Sequence, residues 1–181
     1  ARVPSVWTSA YGEIVTTIEM LAQMATEAEG LPSPTRFNNS VHNTPAGYAS
    51  IAAVNHGFST SLAGGPRSVA VGMIEALALL SERGGGVVLV AADEPPPPPF
   101  APEVAFPTLA VALHLSTEPG PGAKARLSNL RAGSQPCEVP PAFRSHPCVA
   151  ALVLADAVLG GRWGTVPLSL TGEQDWLVDV E

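Results

Sequence analysis

The feature that most constrains the fold is a strand, a glycine turn and a long helix, which follow one another within residues 57–83. The letters "GFSTSL" predict a short buried strand, and Gly64-Gly65 predicts the turn. Pro66 suits the first turn of a helix, where its missing N–H would have no intrahelical partner. This helix has a face of small residues that would let another element approach closely: Ser68, Gly72 and Ala76. Such a unit commonly presents a nucleophile or an anion site at its turn.

The rest of the first half alternates strands and helices. "VPSVWTSAYGE" predicts a strand that ends at Gly12, and apolar residues at helical spacing predict a helix over 13–29, stopped by glycine and prolines within 30–34. A short helix is expected to begin at Pro45, capped by Asn43 or Thr44. The run "VVLVAA" is typical of a strand covered on both faces.

The second half adds antiparallel character. It contains the predicted strands "TLAVALHLS" and "ARLSNLR", a helix that starts at Ser145 with Pro147, and a hairpin made by "TVPLSL" and "DWLVDV". A proline-rich arm at about 95–102 is expected to be exposed, and a second loose proline-rich segment covers about 133–147. The predicted fold class is α/β, with a mixed sheet and helices packed on it, in a single domain over 1–181.

Composition excludes several classes of protein. The 181 residues are 46% apolar and 14% charged, which is ample for a core, and the net charge of −7 argues against nucleic acid and membrane surfaces as partners. The apolar runs are too short to span a bilayer and the start lacks a signal-type pattern, so we expect a cytoplasmic protein with reduced cysteines. The sequence begins at Ala1 without an initiator methionine, which indicates a processed or partly observed chain.

The glycine turn lacks the signatures of known phosphate sites. "SLAGGPRS" has neither the Lys-Ser/Thr pair of a phosphate loop nor the third glycine of a dinucleotide loop, and Pro66 removes one N–H. A packing turn is therefore favoured over a ligand-binding turn. Ser59 and Ser61 are not flanked as a serine nucleophile would be, so structural hydroxyls are favoured there.

Other polar residues give weaker signals. Ser40, His42 and Asn43 place several hydrogen-bonding groups on a loop beside a helix start, and Asp93 with Glu94 follows the end of a strand, where α/β sheets often bind ligands. Helix capping would explain the first group equally well, and a solvated turn would explain the second. The histidines are too scattered to predict a metal site, and no cofactor is expected.

Four segments together resemble the beta-ketoacyl synthase-like chain-length-factor proteins of bacterial aryl-polyene and xanthomonadin-type pigment clusters. They are "SPTRFNNSVHNTPAGYASIA", "STSLAGG", "VGMIEALALL" and "VVLVAADEP", and they cover about residues 33–95. "SVHN" followed by "AGYASIA" is the most specific part. The resemblance implies a thiolase-like fold, or its N-terminal half, in which the turn of an active condensing enzyme carries a cysteine nucleophile.

Here the corresponding window, Thr60 to Pro66, contains no cysteine, and Cys137 and Cys148 come too late in the chain to replace it. The half that supplies two histidines in active enzymes is expected to be absent. The resemblance therefore implies a non-catalytic subunit that supports a partner ketosynthase, contacts an acyl carrier protein indirectly, and forms a homodimer in isolation. The residues expected to form the motif, interface or tunnel are Ser40, His42, Asn43, Gly47, Ser59, Thr60, Ser61, Gly64, Gly65 and Asp93.

Two alternatives stay open at this point. One is an acyl-transfer enzyme that uses Ser59, Ser61 or a cysteine outside the turn. The other is a carrier-protein binding module that holds phosphopantetheine at the helix N-terminus beside Gly64-Gly65.

Overall fold

The structure is a computed structural model that describes residues 2–26, 31, 33–172 and 175–181. The strands are β1 (Ser5–Thr8), β2 (Ser59–Leu62), β3 (Gly86–Asp93), β4 (Leu109–Ser116), β5 (Leu127–Ala132), β6 (Gly164–Pro167) and β7 (Trp176–Val180). The helices are α1 (Ile14–Thr26), α2 (Pro34–Asn39), α3 (Thr44–Ala52), α4 (Ser68–Arg83) and α5 (Val149–Leu159), with short 3₁₀ turns at Gly65–Arg67 and Pro141–Phe143.

The strands form two sheets. The first has the order β2-β1-β3-β4, in which β1 is parallel to both β2 and β3 and β4 is antiparallel to β3. The second has the order β5-β7-β6 and is antiparallel throughout. The predicted mixed sheet and the predicted hairpin of the last two strands are thus confirmed.

One hydrophobic core includes residues from both sheets and from α4 and α5. It contains Val6, Val87 and Leu89 of the first sheet, and Val166, Val178 and Val180 of the second sheet lie in the same cluster. The second sheet and α5 thus cover part of the apolar surface of the first sheet, whereas large apolar side chains elsewhere, such as Ile51 and Leu159, stay exposed.

The small-residue face of α4 lies against the chain's own first sheet. Gly72 is buried, and a Cβ atom built there would come within 2.8 Å of Thr8 Cγ2 and 2.9 Å of Leu89 Cδ1. Ser68 and Ala76 are also fully buried. The proposal that this face pairs with another subunit is therefore wrong, because its smallness serves the close packing of helix on sheet.

Two strands are less covered than expected. In β3 the buried residues alternate with half-buried ones, so only the face toward α4 is fully covered, and the prediction of cover on both faces is wrong. The strand β2 was predicted to be buried, but it lies at an edge of its sheet and exposes Ser59. Short apolar runs do not distinguish a central strand from an edge strand.

Several boundaries differ from the prediction. Helix α5 begins at Val149, and Ser145 does not cap it but donates a hydrogen bond from Oγ to Val104 O, 3.0 Å away. Helix α3 begins as expected, but neither Asn43 nor Thr44 caps it through a side chain, and Thr44 Oγ1 donates to Asn38 O instead. In the proline arm Pro96 is buried, so the arm is only partly exposed.

The predicted end of the first helix, at residues 27–30, lies outside the described residues, as does Pro32. Pro34 does not simply follow a helix, since it is the first residue of α2. Within the described residues, no helix is both long and apolar enough to cross a membrane.

Candidate functional site

The turn before α4 is closed by its own hydrogen bonds. The Gly64 N–H donates to Ser68 Oγ at 3.1 Å, Ser68 Oγ donates to Gly65 O at 2.7 Å, and the Arg67 N–H donates to Gly64 O at 3.0 Å. Gly65 has φ of +55°, a left-handed conformation that favours glycine. Pro66 has no N–H, and the N–H groups of Gly64, Arg67 and Ser68 donate within the turn, so these four positions offer no backbone donor to an anion or an oxyanion.

The strand that leads into this turn presents one open edge. In the described part of the chain β2 pairs with β1 alone, in the register Ser59 with Ser5 and Ser61 with Trp7. Ser59 Oγ accepts a hydrogen bond from Ser5 Oγ at 3.2 Å, and the buried Ser61 Oγ has no hydrogen-bond partner. Thr60 is half-buried beside them. No histidine hydrogen-bonds either serine hydroxyl among the described contacts, so neither is activated as a nucleophile.

Large apolar side chains are exposed on α3, on α4 and in the segment that joins α3 to β2. Helices α3 and α4 both contact β2. The exposed side chains are Ile51 at 76%, Val54 at 64%, Phe58 at 42%, Ile74 at 37% and Val71 at 36%. Apolar side chains grouped in this way are typical of a protein–protein contact.

The loop that contains "SVHN" is hydrogen-bonded to the neighbouring helices. Ser40 Oγ donates to Phe37 O at the end of α2, and Ser40 O accepts a bond from Thr17 Oγ1 of α1. Asn43 O accepts the N–H of Gly47, and both residues are exposed. These contacts give Ser40, Asn43 and Gly47 local structural roles.

His42 lies apart from them, at a small cavity where β1 and β3 end. The cavity has a volume of about 190 Å³, and its lining includes Ser9, Glu13, His42, Asp93 and Glu94. His42 Nε2 lies 3.2 Å from Ser9 O. The structure thus brings His42 and the Asp93-Glu94 pair together, although they are separate signals in the sequence.

The charges at this cavity interact. Burial raises the pKa of Glu13, the nearby Glu94 carboxylate raises it further, and His42 opposes the shift. Sequence reasoning did not find Glu13 or Ser9. Ser9 could have been found from the sequence, because it directly follows β1, and Asp93 ends β3, which is parallel to β1. The carboxyl ends of parallel strands meet at the same edge of a sheet.

Asp93 is a buried hydrogen-bond acceptor for two other segments of the chain. Its side chain is 6% exposed and accepts from Ser9 Oγ at 2.6 Å, from the Ala10 N–H at 2.8 Å and from the Tyr11 N–H at 3.0 Å. From the other side, Cys148 Sγ donates to Asp93 Oδ2 at 3.0 Å. Asp93 therefore joins the loop after β1 to the start of α5.

The tautomer of His146 follows from its two bonds. Its Nδ1 accepts the Cys148 N–H at 3.0 Å, so the proton must be on Nε2, which lies 3.3 Å from Asp93 O. The ring is 2% exposed, packs edge-on to Phe106 with centroids 4.7 Å apart, and burial lowers its pKa. His146 is thus a neutral core residue. His146 and Cys148 are two residues apart in the sequence, but only the structure shows that both contact Asp93.

Neither cysteine has the lowered thiol pKa that an activated nucleophile requires. Cys148 is fully buried, and burial together with the Asp93 carboxylate strongly raises the pKa of its thiol. Cys137 is half-buried at a groove formed by residues 135–140, α5 and β6, and burial and Glu138 raise the pKa of its thiol. A raised pKa keeps each sulfur as the poorly nucleophilic thiol. Among the described residues no three His, Cys, Asp or Glu side chains are grouped to bind a metal ion.

Two layers of mixed and antiparallel sheet packed around α4 and α5 define a thiolase-like, ketosynthase-type fold. The family model for the beta-ketoacyl synthase N-terminal domain matches residues 1–159, so the chain belongs to this family. The match ends where α5 ends, and β6 and β7 lie beyond it.

One solved structure supports the fold, and a second aligns over only part of the chain. One chain of the complex of the ketosynthase ApeO with its chain length factor ApeC, from Xenorhabdus doucetiae, aligns with a TM-score of 0.71 at 24% identity, over 99% of this chain and 70% of that one. The ishigamide ketosynthase/chain length factor aligns with a TM-score of 0.48 at 23% identity, over 52% of this chain and 27% of that one. A search of curated proteins finds no significant match.

Proposed function

We propose that this chain is a non-catalytic, chain-length-factor-type subunit that binds an active ketosynthase and helps to shape the tunnel for its growing acyl chain. The pathways proposed are polyene or fatty-acid-type elongation, including aryl-polyene pigments, with an acyl carrier protein as an indirect partner. The observation that carries the proposal is the turn before α4, which has no cysteine between Thr60 and Pro66. A condensing enzyme of this type needs a thiolate at this point.

The apolar surface around β2 supports the choice of a protein partner. A free strand edge can add a strand from another subunit, and the exposed side chains of α3 and α4 would be covered on either side of it. The surface contains Phe58, whose ring lies 5.0 Å from the Arg83 guanidinium, so the aromatic residue is held in place before any partner binds. The likeness to a chain of a ketosynthase and chain length factor complex agrees with this choice.

Co-expression with a ketosynthase from the same genome tests the proposal. Ile51→Glu places a charge at the β2 surface, and Leu159→Glu is a matched control because both residues are 76% exposed on helices. We expect the wild type and Leu159→Glu to co-purify with the ketosynthase and Ile51→Glu to lose at least about tenfold in affinity, about 1.4 kcal/mol. The proposal fails if the wild type neither binds the ketosynthase nor changes the length of its products.

A covalent test separates this subunit from an acyl-transfer enzyme. The purified chain is incubated with acyl thioesters of an acyl carrier protein, and its intact mass is measured. We expect no acyl adduct, because the thiols have raised pKa values and the serine hydroxyls lack a basic partner. An adduct on Ser59, Ser61 or either cysteine would instead show an enzyme. Binding of the carrier protein that persists without a ketosynthase would indicate a carrier-binding module.

A further inference from the structure

The first sheet has a second open edge, formed by the eight-residue strand β4. Its pairing with β3 is unbroken from Leu109 opposite Asp93 to Ser116 opposite Gly86. The strand lies at the far end of the order β2-β1-β3-β4, so it is separated from the proposed ketosynthase surface by two strands. It is therefore a different surface from the one at β2.

One hydrogen bond shows which backbone groups of β4 point outward. The Thr117 N–H donates to Gly85 O at 3.0 Å, so residues 85 and 117 are a hydrogen-bonded pair of the ladder. Hydrogen-bonded pairs alternate along antiparallel strands, so residues 109, 111, 113 and 115 bond to β3. The N–H and C=O groups of the alternate residues then face away from the sheet: Ala110, Ala112, His114 and Ser116.

These four residues are exposed, and within the described part of the chain no hydrogen bond to their backbone groups comes from outside the sheet. Natural edge strands usually carry a charge, a proline or a bulge that prevents further pairing. The segment "LAVALHLS" has no acidic residue, no lysine or arginine, and no proline, and its register has no bulge. This edge has thus kept its capacity to add a strand.

We infer that β4 pairs antiparallel with β4 of a second copy of this chain, around a two-fold axis at Leu113. With this centre Ala112 pairs with His114 of the second copy, and Ala110 pairs with Ser116. Each of the four outward-facing residues then pairs with another of the four in the second copy. If the two-fold axis passed through residue 112 or 114, some of the four would have no partner among them. An antiparallel pair of identical strands is self-complementary, as a two-fold contact requires.

Side chains and charge agree with a second copy as the occupant. The alanines stand opposite the larger His114 and Ser116, which avoids crowding across the pair. Each copy has a net charge of −7, so two copies repel one another and a stable contact has to keep their carboxylates apart. In this register the nearest acidic residue, Glu118, falls opposite Thr108, so no two carboxylates are brought together. The two copies would extend the first sheet into one continuous eight-stranded sheet, twice its four strands.

Sedimentation velocity over a concentration series tests the inference on the full chain. We expect a reversible dimer of the wild type, loss of the dimer in Ala112→Lys, and its retention in Ala142→Lys, which changes an exposed alanine far from β4 in sequence. Melting temperatures should agree for all three, since both positions are exposed. A wild type that stays monomeric up to about 1 mM, the weak end of specific association, would overturn the inference.

Further variants separate this contact from the ketosynthase surface. Ala112→Lys should still co-purify with the ketosynthase, and Ile51→Glu should still self-associate. If self-association survives Ala112→Lys but is lost in Ile51→Glu, the copies meet at β2 and the inference is wrong. Failure of ketosynthase binding by the wild type would refute the proposed function without affecting the result at β4.

Spin labels test the register. In a Cys137→Ser background, a label on Ala110→Cys should report a separation of the two backbones of about 20 Å, since six residues at about 3.3 Å each lie between the two sites along the pair. A centre at residue 112 would bring them to about 13 Å. The shorter distance would show that the register centred on Leu113 is wrong.

Discussion

At the scale of single residues, the most connected side chain is Asp93. A buried carboxylate is stable only when its oxygens have partners, and here hydroxyl, thiol and backbone N–H groups supply them. All of these partners are donors, so the position requires a group that only accepts. This requirement explains why an acidic residue at the end of a buried strand has a structural role here.

Replacement of Asp93 by asparagine should destabilise the protein. The new NH₂ group would face N–H donors that the carboxylate accepts, leaving a buried donor without a partner. We expect a loss of about 1.5–3 kcal/mol in the free energy of unfolding, the range for hydrogen bonds to a charged group, measured by urea denaturation. Glu94→Gln, at an exposed neighbour, should change little. An Asp93→Asn protein as stable as the wild type would show that the hydrogen bonds of the Asp93 carboxylate do not stabilise the fold.

His146 should make stability depend on pH. Burial lowers the pKa of the folded ring, so below about pH 6.5 the unfolded chain binds more protons than the folded chain. The neutral ring therefore contributes stability that is present above about pH 6.5 and is lost as pH falls toward the folded pKa. The titratable group that acts on the ring is the Asp93 carboxylate, whose charge opposes the lowering of the His146 pKa without overcoming it.

The measurement is urea denaturation of the wild type and His146→Gln between pH 7.5 and 5. Glutamine retains one donor and one acceptor but does not titrate, so the wild type should lose more stability on acidification than the variant does. His114→Gln, at an exposed histidine on β4, is the control and should follow the wild type. Equal pH dependence in all three proteins would contradict the account.

At the scale of elements, the position of α4 depends on Gly72, which has no side chain. Gly72 lets the helix axis come close to β1 and β3, where the side chains of Thr8 and Leu89 fill the space that a Cβ would need. Apolar residues of α3 and α4 that do not face the core, together with Phe58 just before β2, are left exposed on segments that contact or adjoin this edge strand. Helix α4 thus packs against the core with its face of small residues and exposes apolar residues on a different face.

Gly72→Val should destabilise the protein by about 1–3 kcal/mol, the usual cost of overpacking a core. The valine would collide with Thr8 and Leu89 and push α4 from the sheet, which thermal and urea denaturation would detect. Gly47→Ala is the matched control in α3, because no atom lies within 4 Å of its added Cβ. It should be neutral or stabilising, since alanine favours a helix over glycine by about 1 kcal/mol. A Gly72→Val protein of wild-type stability would show that α4 packs differently.

At the scale of the whole molecule, the two sheets, α4 and α5 meet around residues that are distant in sequence. Cys148 lies at the start of α5, in a cluster with Val69 of α4 and Ala91 of β3. Because this cluster lies between elements from both halves of the chain, its solvent exposure reports on opening of the whole structure and not on a local loop.

Thiol labelling measures that opening. In Cys137→Ser, Cys148 should resist a thiol reagent in the native state and react only as urea unfolds the protein, with half-reaction near the unfolding midpoint. In Cys148→Ser, the half-buried Cys137 should react without denaturant. Rapid reaction of Cys148 in the native protein would mean that α5 separates from the rest before global unfolding.

The sequence by itself determined the strand–turn–helix unit, the order of its elements and the absence of a cysteine at the turn. Periodicity and glycine and proline chemistry act over a few neighbouring residues, so they can be read directly. Only the tertiary structure decided that β2 and β4 are edges, that the small face of α4 looks inward, and that Ser9, Asp93, His146 and Cys148 share one network. These facts depend on contacts between residues up to 84 positions apart, such as Ser9 with Asp93, and local patterns do not encode which distant partner fills a space.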